Sequence, residues 1–215
     1  MVSSPQTNAS ALEAIDASQC DITLLFDRSG SMNSAVGNGV SVSRWNYILE
    51  WAKEAVQEAI KYDEDGIGLG FFNHEWAYQD NVSSVESFDT FTTNMTPGGS
   101  TMMGAAVKQV LDGWFDGGCA KPLRMIVVTD GAATDADDLK NTIIEATKKM
   151  KAQGLQDHNL GILFAQIGDD AQASRFLGDL DDNLSKAEFD IVDTKDHMWI
   201  QSNSFADLLI AAETD

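Results

Sequence analysis

The sequence predicts an α/β fold, a mainly parallel sheet with helices on both faces. Three observations carry that reading. Short apolar runs alternate with amphipathic stretches along the chain. The connections between runs are long enough to hold a helix, as a parallel crossover requires. One run, Leu123-Arg-Met-Ile-Val-Val-Thr129, is apolar throughout its centre, as a strand buried on both faces would be.

Residues 1–19 are rich in Ser, Ala, Gln and Asn and read as a loose lead-in, with at most a short helical turn over 11–15; the domain itself spans 20–215. Residues 21–27 form an apolar strand that ends in a polar cluster, Arg28-Ser-Gly-Ser-Met-Asn-Ser34. A helix over 42–62 follows, with Ile48, Trp51, Ala52, Ala55, Val56, Ala59 and Ile60 at helical spacing. The stretch 66–73 is a second strand whose glycines suggest close approach of another backbone, and 75–79 folds back beside it as a hairpin edge. Residues 83–91 are weakly helical, and 101–114 is a clearer helix with Gly117-Gly118 beyond its end. After the strand at 123–129 come a helix over 136–151, a strand over 160–167, a helix over 172–184, a strand over 189–192 and a helix over 204–212. That makes six strands in all. Trp51 and Trp114 fall on core faces, whereas Trp45 and Trp76 are candidates for exposure.

Composition narrows the function. With 215 residues, 43% hydrophobic and 22% charged, the chain suffices for one domain with a sizeable core, and it has no apolar run long enough to insert in a membrane. Fourteen Lys plus Arg against 34 Asp plus Glu leave a formal charge of -20, which disfavours nucleic acid and is compatible with divalent cations or basic proteins. Cys20 and Cys119 have no CxxC or His-linked spacing, so zinc is not expected. His74, His158 and His197 are scattered without a nucleophile beside them, and there is neither a GxGxxG series nor a Gly-Lys-Ser/Thr loop. An enzyme is not expected. The first residues lack a basic and then apolar leader, so a complete gene product would be cytoplasmic and a domain cut from a larger adhesin extracellular.

In open parallel sheets ligands bind beyond the carboxyl ends of the strands, which directs attention to the loops 27–34, 96–101 and 130–135. The first carries Asp27-Arg-Ser29-Gly-Ser31, the second Thr96-Pro-Gly-Gly-Ser-Thr101, the third Asp130-Gly131 after Thr129. Together they supply the carboxylates of Asp27 and Asp130 and the hydroxyls of Ser29, Ser31 and Thr101. A hard cation such as Mg²⁺ wants this donor chemistry, and Mn²⁺ or Ca²⁺ are the alternatives that oxygen ligands admit. The alternate spacing lets one extended loop turn three side chains toward a single point. A cation held by two carboxylates and neutral hydroxyls stays electrophilic, and its open position would favour a carboxylate from a protein partner. Helix capping by Asp27 and Asp130 is the plainer explanation, but capping requires neither the DxSxS spacing nor the distant Thr101.

Other acidic groups receive plainer readings. Asp135, Asp137 and Asp138 begin a helix and meet its dipole. Asp63-Glu-Asp65-Gly66 is part of a turn, because Lys61 stands where a calcium loop needs its first ligand and no glutamate closes the loop. Asp179, Asp181 and Asp182 form a solvated face, and 33–42 is a polar loop on the rim of the binding face.

These three loops, in this order on this background, resemble the metal-ion-dependent adhesion site of von Willebrand factor type A domains, and the resemblance runs from about residue 21 to about 212. It implies a Rossmann-like, doubly wound, six-stranded sheet with one short antiparallel edge strand, for which 75–79 is the local candidate. It implies that Asp27, Ser29, Ser31, Thr101 and Asp130 form a complete metal site. Ser29 and Ser31 would coordinate directly, and Thr101 and the two aspartates directly or through water. The expected output is a monomeric, divalent-cation-dependent protein-binding module that captures an acidic side chain. The alternatives are an intracellular docking subunit of an ATPase or of a metal-handling or stress-resistance complex, or a domain of an extracellular adhesin. The resemblance also brings the starts of the strands after Cys20 and Cys119 together, which leaves either a disulfide or, preferred for a cytoplasmic protein, two reduced thiols.

Overall fold

The computed structural model describes residues 20–37, 40–63 and 65–212, so the lead-in and its short turn lie outside the described residues. The strands are β1 (Asp21–Asp27), β2 (Ala35–Gly37), β3 (Val40–Ser43), β4 (Ile67–Phe72), β5 (Trp76–Val82), β6 (Leu123–Thr129), β7 (Leu160–Gln166) and β8 (Val192–Lys195). The helices are α1 (Arg44–Ala59), α2 (Val85–Thr92), α3 (Met103–Asp116), α4 (Ala136–Ala152), α5 (Ala171–Asp182), α6 (His197–Ser202) and α7 (Phe205–Ala211). Six strands form one sheet in the order β5-β4-β1-β6-β7-β8, parallel throughout except for the antiparallel β4–β5 pair at one edge. This is the mixed, mostly parallel, doubly wound sheet the alternation predicts.

Burial on both faces follows from the two-residue period of a strand. In β1, Ile22, Leu24 and Phe26 enter one core and Leu25 the other; in β6, Ile126 and Val128 oppose Leu123, Met125 and Val127. The first core contains the apolar stripe of α1 (Ile48, Ala52, Ala55, Val56, Ala59) and residues of α7. The second is covered by α3 and α4 through Val107, Leu111, Leu139 and Ile143. The crossovers leaving β1 and β6 therefore run to opposite faces. Their divergence opens a crevice at the carboxyl ends of these adjacent strands, the place where such sheets bind ligands.

Several details differ from expectation. Residues 35–37 and 40–43 pair as a small antiparallel sheet, so the rim stretch is a hairpin and α1 starts only at Arg44, capped by the Ser43 hydroxyl, which accepts from the Asn46 N–H at 3.2 Å. The last strand is Val192–Lys195 rather than 189–192; the apolar residues before it approach the sheet, and the more polar edge segment pairs with β7. Helix α6 is unanticipated. Trp45 is buried, and Trp76 half-buried. The expected close approach of another backbone holds at Gly66, where a Cβ would meet the Asn81 main chain, whereas the glycines inside β4 make room for side chains: a Cβ at Gly68 would meet the Tyr78 hydroxyl, and one at Gly70 the Trp76 ring. Trp76 and Tyr78 stack there with ring centroids 5.4 Å apart. Cys20 is buried and Cys119 partly so, and among the described residues no disulfide joins them. No described helix is long and apolar enough to cross a membrane.

Candidate metal centre

Asp27 is the last residue of β1 and has no exposed surface. Its Oδ1 accepts from the Ser29 N–H at 2.7 Å, and its Oδ2 accepts from the Thr129 hydroxyl on the neighbouring strand end at 2.7 Å. Burial pushes the Asp27 carboxyl up to about 6, repulsion from Asp130 adds to the rise, and the hydrogen bonds from Ser29 and Thr129 offset part of it. Ser29 is also buried, and its Oγ lies 2.9 Å from the Ser31 Oγ. Ser31 in turn donates to Asp130 Oδ1 at 2.7 Å across a sequence separation of 99 residues. Four of the five predicted oxygen donors thus belong to one continuous network.

Thr101 is brought to the same end of the sheet by the second loop, which is clamped on three sides. The N–H of Gly98 donates to the Arg28 carbonyl at 2.8 Å, and that of Gly30 donates to the Gly99 carbonyl at 3.0 Å. Gly99 adopts φ +77°, and a Cβ there would collide with the His74 ring, so the turn requires glycine. From the third loop, Thr134 Oγ1 accepts the Thr101 N–H at 3.1 Å while the Thr134 N–H donates to the Thr101 carbonyl at 2.8 Å. The Thr101 side chain takes no part in the hydrogen-bond network of the other four.

Three supporting residues were not assigned from the sequence. Asn73, buried at the end of β4, donates from Nδ2 to the Gly98 carbonyl at 2.7 Å and accepts on Oδ1 from the Glu75 N–H at 2.7 Å. Asp135 was expected to cap α4. Instead its carboxylate accepts from the N–H groups of Gly104 and Ala105, at 3.0 and 2.8 Å, in the first turn of α3. It caps a neighbouring helix and fixes the second loop's exit. The third is Arg44, whose Nη1 donates to Asp130 Oδ2 at 2.6 Å. Asn73 and Asp135 have type-level signals, an amide after a strand and an acid at a helix start. Arg44 has none, since its target lies 86 positions away.

The donor chemistry suits a hard divalent ion: two buried carboxylates, hydroxyls between them, and an Asp27 whose hydrogen-bond partners are all neutral donors. Among the described residues, Arg44 is the one cationic group inside this network.

A second acidic cluster stands at the opposite end of the sheet. Oxygens of Asp21, Asp63 and Asp65 lie within 4.8 Å of one another. Asp63 is buried, accepts the Ile22 N–H at 2.9 Å, and is pushed up to about 6, first by burial and then by Asp65. Lys121 binds Asp65 at 2.5 Å and approaches Asp21 at 3.6 Å. The segment 63–66 is a turn as read, but its first acid is buried into the strand start.

The model of the von Willebrand factor type A domain family matches residues 21–195, and the chain belongs to that family. A comparison with curated proteins gives no match. Among solved structures, the fold is similar to the PilB minor pilin of Streptococcus sanguinis, with TM-score 0.63 and 14% identity over 89% of this chain and 60% of the pilin. The chain thus spans about three fifths of the pilin's length. The SpRpn10 VWA domain is similar at TM-score 0.56 and 12% identity, covering 89% of this chain and 93% of that one. The manganese-loaded TRAP protein of Plasmodium vivax is similar at TM-score 0.56 and 15% identity, covering 92% and 75%. At these identities the likeness concerns the fold. Type A domains are modules that commonly mediate protein–protein interaction.

Proposed function

We propose that this domain binds a divalent cation, Mg²⁺ first and Mn²⁺ or Ca²⁺ as alternatives, through Asp27, Ser29, Ser31, Thr101 and Asp130, and offers the ion's open position to a carboxylate of a protein partner. The observation that carries the reading is the network joining Asp27, Ser29, Ser31 and Asp130 at the crevice between β1 and β6. The TRAP relative of similar fold, described as manganese-loaded, supports an ion of this class. No base is needed for such a task, and the domain acts as a binding module rather than an enzyme.

Among the described residues the exposed large hydrophobics are Val42 and Met198. Val42 sits in β3, just before the helix start that reaches Asp130; Met198 follows His197, whose ring packs on Tyr47 of α1 at 5.4 Å. An adhesin and an intracellular docking subunit would use the same chemistry.

Calorimetry tests the reading directly. The wild type is expected to give a saturable Mg²⁺ isotherm and Asp27→Ala none; equal isotherms refute the assignment. A pulldown from native lysate with and without EDTA, repeated with Asp27→Ala, separates ion-dependent partners from the rest.

A further inference from the structure

The geometry points to Arg44 as an internal counter-ion that sets how tightly this centre holds its divalent cation. The inference rests on the metal-site reading above and deepens it. Arg44 opens α1, immediately after the β2–β3 hairpin, and its N–H is held by the Ser34 carbonyl at 2.8 Å. The side chain is therefore anchored at its base to the loop that carries Ser29 and Ser31. Its guanidinium reaches Asp130 at 2.6 Å, with 16% of the arginine side chain exposed and none of the aspartate's. A buried ion pair of this kind is costly to break from one side, because the remaining charge is left without compensation.

The surroundings keep the guanidinium where it is. Gly168, just after β7, has φ +85°, and a Cβ there would lie 3.0 to 3.2 Å from Nη2, Nε and Cζ of Arg44. Only a glycine lets the strand end lie so close beneath that plane. Nε is buried without a hydrogen-bond partner, so the contact with Asp130 is made by a single edge of the guanidinium rather than by a satisfied fork.

Two consequences follow from one charge. In the ion-free protein Arg44 compensates Asp130 and holds it toward Ser31, whose hydroxyl occupies the other oxygen. When a divalent ion binds among the same side chains, Arg44 repels it across a poorly screened interior and competes for the charge of Asp130. The site is thereby kept assembled without its ion and bound to it less tightly. An ion that shares its aspartate with an arginine also receives less negative charge from the protein, and so draws more strongly on a partner's carboxylate.

The test is Mg²⁺ calorimetry on wild type, Arg44→Gln and Arg44→Lys, together with thermal unfolding in EDTA and in excess Mg²⁺. Arg44→Gln is expected to bind Mg²⁺ roughly tenfold or more tightly, and to unfold at a lower temperature than wild type in EDTA, with the gap closing in Mg²⁺. Arg44→Lys, which keeps the charge, should stay near the wild-type affinity. Should Arg44→Gln not fold without ion, its unfolding midpoint against Mg²⁺ concentration reports the affinity by linkage; absence of rescue by Mg²⁺ overturns the inference. A folded Arg44→Gln with wild-type or weaker Mg²⁺ affinity overturns it while leaving the metal site standing. If wild type and Arg44→Gln both fail to bind Mg²⁺, the metal-site reading fails and takes this inference with it.

Discussion

The two ends of the sheet solve a similar electrostatic problem with different materials. At the carboxyl ends, Asp27 and Asp130 are both buried and are linked through the Ser29 N–H and the Ser29 and Ser31 hydroxyls, while the Thr129 hydroxyl also donates to Asp27. At the amino ends, Asp63 is buried, Asp21 half-buried and Asp65 exposed, and a lysine gathers the last two. In both places burial is the first cause that lifts an aspartate to about 6. The difference lies in the neutral oxygens. Hydroxyls can ligate a hard cation, whereas Lys121 offsets part of the lower cluster's charge without offering a lone pair to any ion. Acidic clustering is common to both ends; interleaved hydroxyls at a strand crevice set the upper one apart.

Substitution at the lower cluster sharpens the contrast. While Asp27→Ala should abolish Mg²⁺ binding, Asp63→Ala should leave that affinity unchanged and instead cost about 1–3 kcal/mol of stability, because the buried Ile22 N–H loses its acceptor. Chemical denaturation and calorimetry on the same two variants read both effects. Loss of Mg²⁺ binding in a folded Asp63→Ala would show that the two ends are not independent.

A pH series breaks the comparison differently. A carboxyl raised above its ordinary 3.8 prefers the proton in the folded state, so its charging opposes folding. That penalty is absent below about 4, grows as pH rises through the interval up to about 6, and is complete above it. Asp65 and Asp170 are shifted downward, so their support is lost only as pH falls below the ordinary range. The ion-free domain should therefore gain stability as pH falls from 7 toward 5. Asp27→Asn and Asp63→Asn should each flatten that slope, read as unfolding midpoints in EDTA. Mg²⁺, by contrast, should bind the wild type more weakly below pH 6, as the proton competes for Asp27.

The smallest expected effect concerns the support beneath Thr101. Asp135→Ala removes the acceptor for two N–H groups of α3 and should cost about 1 kcal/mol by denaturation. It should weaken Mg²⁺ binding only modestly, because the side chains proposed as ligands themselves remain. A loss as large as that of Asp27→Ala would make Asp135 a ligand rather than a support.

Much of this was legible in the chain because it is local. The strand at 123–129 and the helices at 101–114 and 136–151 follow from period and apolar content, and the DxSxS spacing is visible within five residues. What was missed is non-local or weakly patterned. The salt bridge of Arg44 to Asp130 joins a helix start to a strand end 86 positions later, and no periodicity records such a meeting. The pairing of β2 with β3 had a signal, Gly37-Asn38-Gly39 between alternating residues, that the polarity of the stretch obscured. The last strand was misplaced because Phe189-Asp-Ile-Val192 is more apolar than the edge segment Val192-Asp-Thr-Lys195 that pairs. Edge strands need less burial, so hydrophobicity locates them poorly.

Asp135 grips the first turn of α3 from outside, and the other end of that helix carries Trp114, whose Nε1 donates to the Lys121 carbonyl at 2.9 Å. One stiff rod of 14 residues is thus pinned at both poles of the molecule. If a partner is captured at the carboxyl ends as proposed, a load on it would travel along that rod to its foot as compression or tension. The whole domain, and not a loose flap, would bear the strain.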